Sequence, residues 1–236
     1  FDDPRHGTTG PMPVRRQPAE QLSEISAACR AGALGAGHPE EPDKNGTGTG
    51  GIGPVPLNVD GGRRVSTALA YLLPASERPN LTIEVNSDVV RILFSGHETV
   101  GVEVESGGTR RTVRTGRVVL AAGPVETPVL LMLSGIGPAE HLRGNDIDVV
   151  LDVPGVGTGF SDHPEVALPY RVRDTLRRSD TSPVVETVLN VDDLEIRPYT
   201  APFDLLVPGS GQPDPVLGIG LMVTESRGDI RLTSGH

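Results

Sequence analysis

The stretch Val118–Gly137, reading VVLAAGPVETPVLLMLSGIG, constrains the fold more than any other part of the chain. Arg117 to Leu120 is an apolar run without alternation, which predicts a strand buried on both faces. The run ends in Ala121, Ala122 and Gly123 and then turns at Pro124. Thr127 is a natural N-cap and Pro128 suits the first helical position, so a helix is predicted to start there. That helix is apolar all round, which predicts burial, and Gly135 and Gly137 can end it. A strand feeding directly into a buried helix is an α/β unit. Small residues at the strand's carboxyl end leave room for a flat or anionic group against the backbone. On these residues alone, a ligand at that end and tight packing without one are equally available.

The remaining pattern is strand-rich. Pro18, Leu22, Ile25 and Cys29 suggest an early helix with exits at Gly32 and Gly35. Cys29 reads as a small core residue on its stripe. Residues 36–62 read as a long Gly/Pro loop, and Ser66 or Thr67 can cap a short helix through Leu72 that Pro74 stops. Short β-rich runs follow at Leu81–Val85, Val89–Phe94, Val100–Glu105 and Arg111–Val113, separated by turn residues, which is a β-meander signature. Val149–Val153 can form a strand, and Leu217–Val223 with Asp229–Leu232 look like two strands joined by a polar turn.

Several chemistries are disfavoured. The formal net charge of −10 argues against nucleic acid, and the pairs Arg110–Arg111 and Arg177–Arg178 read as solvated loop residues. One cysteine rules out an intrachain disulfide and a cysteine-based metal site. The spacing of the six histidines matches no metal motif, so no metal is expected. No apolar run is long enough to span a bilayer, and a soluble, reducing cytoplasmic setting is the default. Gly46-x-Gly48-x-x-Gly51 matches the dinucleotide fingerprint as a string, but a charged stretch precedes it and Pro54 follows, so it reads as a flexible loop. His163, beside Asp162, reads as a structural hydrogen-bonding residue.

The order Gly123-Pro124, Thr127-Pro128, Leu130-Leu131 and Ser134-Gly135-Ile136-Gly137 resembles the second signature of the GMC (glucose–methanol–choline) oxidoreductase family. His6-Gly7 with Gly10-Pro11, Asp43 with Asn45, Arg63 to Leu72, Arg78–Leu81, and Ser226–Gly228 with Arg231-Leu232 extend the likeness over nearly the whole chain. Asp162-His163 resembles the family's Asp-His pair, although Gly159 and Phe160 stand where Asn-Leu is usual. The run Ser161–Glu165 resembles the branch associated with the peptide-derived carrier mycofactocin.

The resemblance implies an α/β fold: a partial FAD/NAD(P)-binding Rossmann-like domain with a β-meander, plus a partial α+β substrate-binding domain with an antiparallel sheet. Residues 1–61 would be a substrate or cap segment with the Gly-rich loop, 62–160 part of the FAD-binding domain, and 161–236 part of the substrate-binding domain. It implies FAD as cofactor, with Val89 touching the adenine side through its backbone. Ala121, Ala122 and Gly123, with Thr127 and Pro128, would lie against the cofactor. The family reaction takes hydride from an alcohol carbon to the flavin while a histidine near the C-terminus removes the hydroxyl proton. That histidine and the N-terminal Gly-x-Gly-x-x-Gly loop have no counterpart here, so both ends read as cuts and no catalytic residue is nominated. The expected partners are a small-molecule alcohol and missing N- and C-terminal parts of the same protein, with the piece inactive alone. A non-catalytic flavin-fold binding protein and a nicotinamide-dependent dehydrogenase are the other readings.

Overall fold

The computed structural model describes residues 6–46, 48, 50–173 and 182–235. Helix α1 (Glu24–Gly35) precedes strands β1 (Gly51–Pro54), β2 (Val59–Asp60) and β3 (Arg63–Arg64) and the one-turn helix α2 (Leu73–Ala75). Next come β4 (Asp88–Ser95), β5 (Glu98–Ser106), β6 (Thr109–Arg114), α3 (Gly123–Leu133), β7 (Ile136–Gly137), α4 (Ala139–Arg143) and β8 (Leu151–Asp152). Strands β9 (Glu165–Pro169), β10 (Thr187–Val191), β11 (Leu194–Pro198) and β12 (Val216–Leu221) complete the set. The chain divides into two compact units, Phe1–Leu81 with His163–Thr224, and Thr82–Asp162 with Glu225–His236. Residues 62–81 thus cluster with the first unit and 225–236 with the second, boundaries that differ from the three sequence-based segments.

The first unit is built on an antiparallel sheet in the order β1-β10-β11-β12-β9. β10 and β11 turn at Asp192, whose φ of 49° is one that aspartate tolerates. Ile52, Val188 and Val216 are buried in the sheet, with Ala33 of α1 also buried. β9 forms one outer edge, preceded by Pro164 and ending at Pro169. The early helix differs in its start. Pro18 leads only into a 3-10 turn, and α1 begins after Ser23, whose side chain accepts the Ser26 N–H. Gly32 lies within this helix and Gly35 ends it. A second anchor comes from Glu186, fully buried, whose carboxylate accepts from the Ser23 N–H at 3.0 Å and Ser23 Oγ at 2.5 Å.

Residues 36–62, expected as loop throughout, contain β1 and β2. Ser66 caps the next helix, accepting the Leu69 N–H at 3.3 Å, but Pro74 does not stop it. A π-helical stretch over Ala68–Leu72 passes into α2, which contains Pro74. The wider winding accommodates a proline that has no N–H for the preceding turn.

The second unit holds the meander. β5 pairs β4 on one side and β6 on the other. Gly107 and Gly108, at φ 56° and 77°, supply the two left-handed positions that a tight two-residue hairpin needs. Ile92 and Val104 of the sheet, Met132 of α3 and Leu142 of α4 are its buried apolar residues. Arg110 and Arg111 lie on β6 rather than in a loop. Arg110 pairs with Glu105 at 2.7 Å, and Arg111 pairs with Glu84.

Three expected strands are absent. Leu81–Val85 and Arg117–Leu120 carry no regular secondary structure and join no ladder among the described residues. With no neighbouring strand, Leu81, Ile83, Val85 and Val119 are exposed, Val85 at 73% and Val119 at 83%, while Val118 and Leu120 are half-buried. Asp229–Leu232 forms no hairpin strand with β12 either, because β12 belongs to the first unit and this segment to the second. Within the second unit the Ile230 N–H donates to Gly157 O at 2.7 Å, and the Leu232 N–H donates to His141 Nε2 at 3.1 Å. The Val149–Val153 strand shortens to β8, which pairs in parallel with β7.

Candidate functional site

Each unit has an open region among its described residues. In the second unit, Ala121 and Ala122 are exposed and lead into Gly123 at φ 84°. Nothing lies within 4 Å of where a Cβ on Gly123 would sit. The helix begins here, with its N-cap at Ala122, five residues before the predicted N-cap Thr127. Pro124 takes a first-turn position, where its missing N–H removes no helical bond. Thr127 and Pro128 are therefore inside α3 and half-buried, so Thr127 is not the N-cap. Ala122 occupies that position and has no side-chain oxygen to cap the first amides. The result is an open, side-chain-poor surface at a helix start. Glu126, acidic and in the first turn, makes it better suited to a flat uncharged group than to a bare anion.

Val89 lies on β4, which is an edge strand of its sheet. The ladder shifts register between Val89 and Arg91. α3 connects this strand with the Gly123 turn: at its C-terminal end Ser134 Oγ accepts the Ile92 N–H at 2.8 Å and donates to Leu130 O at 2.5 Å. An 11-residue helix is about 16 Å long, so this contact is at the end of α3 remote from Gly123.

In the first unit, a pocket of about 570 Å³ lies between the segment after Glu41 and one face of the sheet. Its anchor is Lys44, the single lysine of the chain, 7% exposed. Lys44 Nζ donates to Glu41 Oε2 at 2.7 Å, Gly51 O at 2.5 Å and Asn190 Oδ1 at 2.9 Å. The Gly-rich segment is thereby fixed to β10 on one side. On the other, His6 Nε2 lies 2.7 Å from Asp43 Oδ2, and this bond holds the Asp43 carboxyl below its usual range. Gly46-x-Gly48-x-x-Gly51 leads into strand β1 and no helix, which removes the context a phosphate loop needs.

Across the same face, Arg197 of β11 pairs with Glu165 through Nη2 and lies 3.6 Å from Glu195 Oε1 through Nε. Asn190 donates to Glu195 Oε2 at 3.3 Å. Burial raises the Tyr199 hydroxyl above its ordinary value, against the opposing effect of Arg197. Sequence reasoning missed Lys44, Glu186 and Arg197. Lys44 had one signal, as the only lysine among 21 basic residues. Arg197 and Glu186 had none, because their partners are remote in sequence. His163 is exposed, burial pushes the Cys29 thiol up, and Arg177–Arg178 lie outside the described residues. Among the described residues no three histidine, cysteine or acidic side chains group as a metal site. No helix among them is long and apolar enough to cross a membrane.

Residues 5–165 match the family model described as GMC oxidoreductase. The chain belongs to the GMC oxidoreductase family. A GMC-type oxidoreductase from the thcA 5′ region of Rhodococcus erythropolis, itself uncharacterised, is 48% identical over 235 residues, covering 100% of this chain and 48% of its own. The oxygen-dependent choline dehydrogenase of Brucella ovis is 44% identical over 161 residues, covering 68% of this chain and 29% of that protein. Pyridoxine 4-oxidase from Mesorbium loti superposes with a TM-score of 0.83 at 26% identity, over 98% of this chain and 48% of that one. An FAD-dependent oxidoreductase from Chaetomium thermophilum superposes with a TM-score of 0.66 at 30% identity, over 72% of this chain and 30% of that one. The GMC chain described here therefore has a mixed α/β fold shared with FAD-dependent oxidoreductases. It spans about half the length of the first relative it matches.

Proposed function

We propose that the whole GMC protein is an FAD-dependent oxidoreductase acting on the CH–OH group of an alcohol, and that this chain supplies part of its cofactor-binding and substrate-binding regions. The supporting observation is the open turn at Ala121–Gly123, found in the segment that bears the family signature. Those residues fit the cofactor because no side chain fills the space and the backbone is accessible. Val89, through the backbone of edge strand β4, and Ala121, Ala122 and Gly123 would hold FAD, with Thr127 and Pro128 in the adjoining turns of α3. When bound, FAD supplies the two-electron acceptor. The residues of this chain bind and orient; the base that removes the hydroxyl proton would come from the remainder of the protein.

The test is to purify the full gene product and measure bound flavin by its absorbance. Stoichiometric flavin supports the reading, and a flavin-free, folded product rejects it. A requirement for added nicotinamide would favour a nicotinamide-dependent dehydrogenase. Ala122→Leu localises the site, since Ala122 has φ −83° and accepts a larger side chain without backbone strain. It is expected to lower flavin occupancy while leaving the circular dichroism spectrum unchanged. Full occupancy in Ala122→Leu would reject the assigned location.

A further inference from the structure

Ser134 is buried at the C-terminal end of α3, and its hydroxyl both donates and accepts. It accepts the Ile92 N–H at 2.8 Å and donates to Leu130 O at 2.5 Å. The first bond joins residues 42 apart in sequence and ties β4 to α3, which pack on each other. Gly135 follows at φ 86°, and a Cβ there would meet Asp148 O at 2.5 Å. The chain leaving Ser134 therefore has little freedom to shift.

The direction of the Ile92 bond fixes what the edge of β4 presents. Successive residues of an antiparallel strand turn their N–H and C=O alternately toward and away from a given neighbour. Ile92, opposite Val102 of β5, sends its N–H to Ser134 and so faces the open edge of the sheet. Val104 lies two residues from Val102 on β5, so its pair with Val89 has the same character. The N–H and C=O of Val89 thus also turn to the open edge. Val90, skipped at the register shift, makes this possible. Without that extra residue, Val89 would stand an odd number of positions from Ile92 in the ladder and would face β5.

We infer that Ser134 is a positioning residue for the flavin, acting through β4 and α3 and touching no reacting atom. This rests on the reading of the whole protein as a flavoenzyme. Val89 lies on one of the two elements that Ser134 joins, and the Gly123 turn opens the other. The helix between Gly123 and Ser134 is stiff, so a slip at Ser134 changes the spacing of the two places that hold the cofactor. Apolar contact of Ile92 alone would let β4 slide, because it has no preferred direction. A hydrogen bond fixes both length and direction.

The test follows flavin release on dilution of the whole gene product, by fluorescence, in Ser134→Ala, Ser134→Thr and Leu142→Ala. Ser134→Ala removes the acceptor of the Ile92 N–H and should weaken flavin binding about ten-fold. Ser134→Cys, a weak acceptor of similar shape, replaces it if that variant does not fold. Ser134→Thr keeps a hydroxyl that can bond the carbonyl four residues back, and should stay within about two-fold of the parent. Leu142→Ala leaves the bond intact and softens the same unit by emptying fully buried space, so it should hold flavin as the parent does. Leu142→Val, which empties less, takes its place if it does not fold. Parent-like retention in Ser134→Ala overturns the inference. Equal loosening in the leucine variant also overturns it, since softness alone would then suffice. A folded Ser134→Thr as loose as Ser134→Ala does the same, and if the threonine variant does not fold the alanine and leucine variants decide. A flavin-free parent rejects the enzyme reading and this inference together, whereas a flavin-loaded parent matched by Ser134→Ala rejects this inference alone.

Discussion

The two units carry strand-forming sequence of similar quality and use it differently. In the first, every segment of the five-stranded sheet finds an antiparallel neighbour, and polar side chains remote in sequence lock the result. In the second, the meander closes through tight hairpins, while residues 82–85 and 117–120 keep an apolar pattern without a ladder among the described residues. Hairpins need only their own turn residues, whereas a lone strand with no hairpin partner depends on whatever backbone lies beside it. Apolar patterning thus records the environment a segment is suited to, and pairing records what is available.

Hydrogen exchange gives the largest test of this contrast. Amides of β5 and β10 should exchange at least about a hundred-fold more slowly than those of 82–85 and 118–120. Equal protection would break the comparison. In a longer gene product, slowing confined to these two segments would show that they gain ladder partners there.

Next in size is Glu186→Ala, which leaves the Ser23 amide and hydroxyl without their buried acceptor. It should destabilise the first unit by about 3 kcal/mol, read from its melting transition, with Glu186→Gln costing about 1 kcal/mol. A loss below about 0.5 kcal/mol in both variants would mean the long-range lock is dispensable. Ser134→Ala orphans the Ile92 N–H and should cost the second unit about 1–2 kcal/mol in chemical denaturation. A neutral result would show that the end of α3 does not secure β4.

The smallest effect concerns pH. The Asp43 carboxyl is held below its ordinary value mainly by the bond with His6. Its contribution is therefore fully present above the unfolded carboxylate value, about pH 4, and fades as the pH falls through the depressed one. Acid titration of Asp43→Asn should lack that component, and superimposable curves for the two proteins would remove the clasp from the account.

Local features were the legible ones. The meander followed from turn glycines between β-rich runs, and the strand–turn–helix from Ala121-Ala122-Gly123-Pro124. The helix start was misjudged because both Thr127-Pro128 and Ala122-Gly123-Pro124 satisfy first-turn rules, and proline at Pro124 comes first along the chain. The Asp229–Leu232 strand was misjudged because alternation says nothing about which unit a segment will join. Arg197 and Glu186 were illegible for the same reason: Glu165 lies 32 residues from Arg197, and Ser23 lies 163 from Glu186.

The outer strand β9 has a consequence for handling the protein. Val166 and Leu168 are exposed along an edge that is unpaired among the described residues, which is the usual starting point for stacking between copies. Here that edge is five residues long, opens with a charged Glu165, and has a proline at its last position and another just before its first. Neither proline can donate a backbone bond to an incoming strand, and the charge opposes an identical copy in parallel register. The boundary most prone to sheet extension is thus confined to a length on which a growing stack gains little hold.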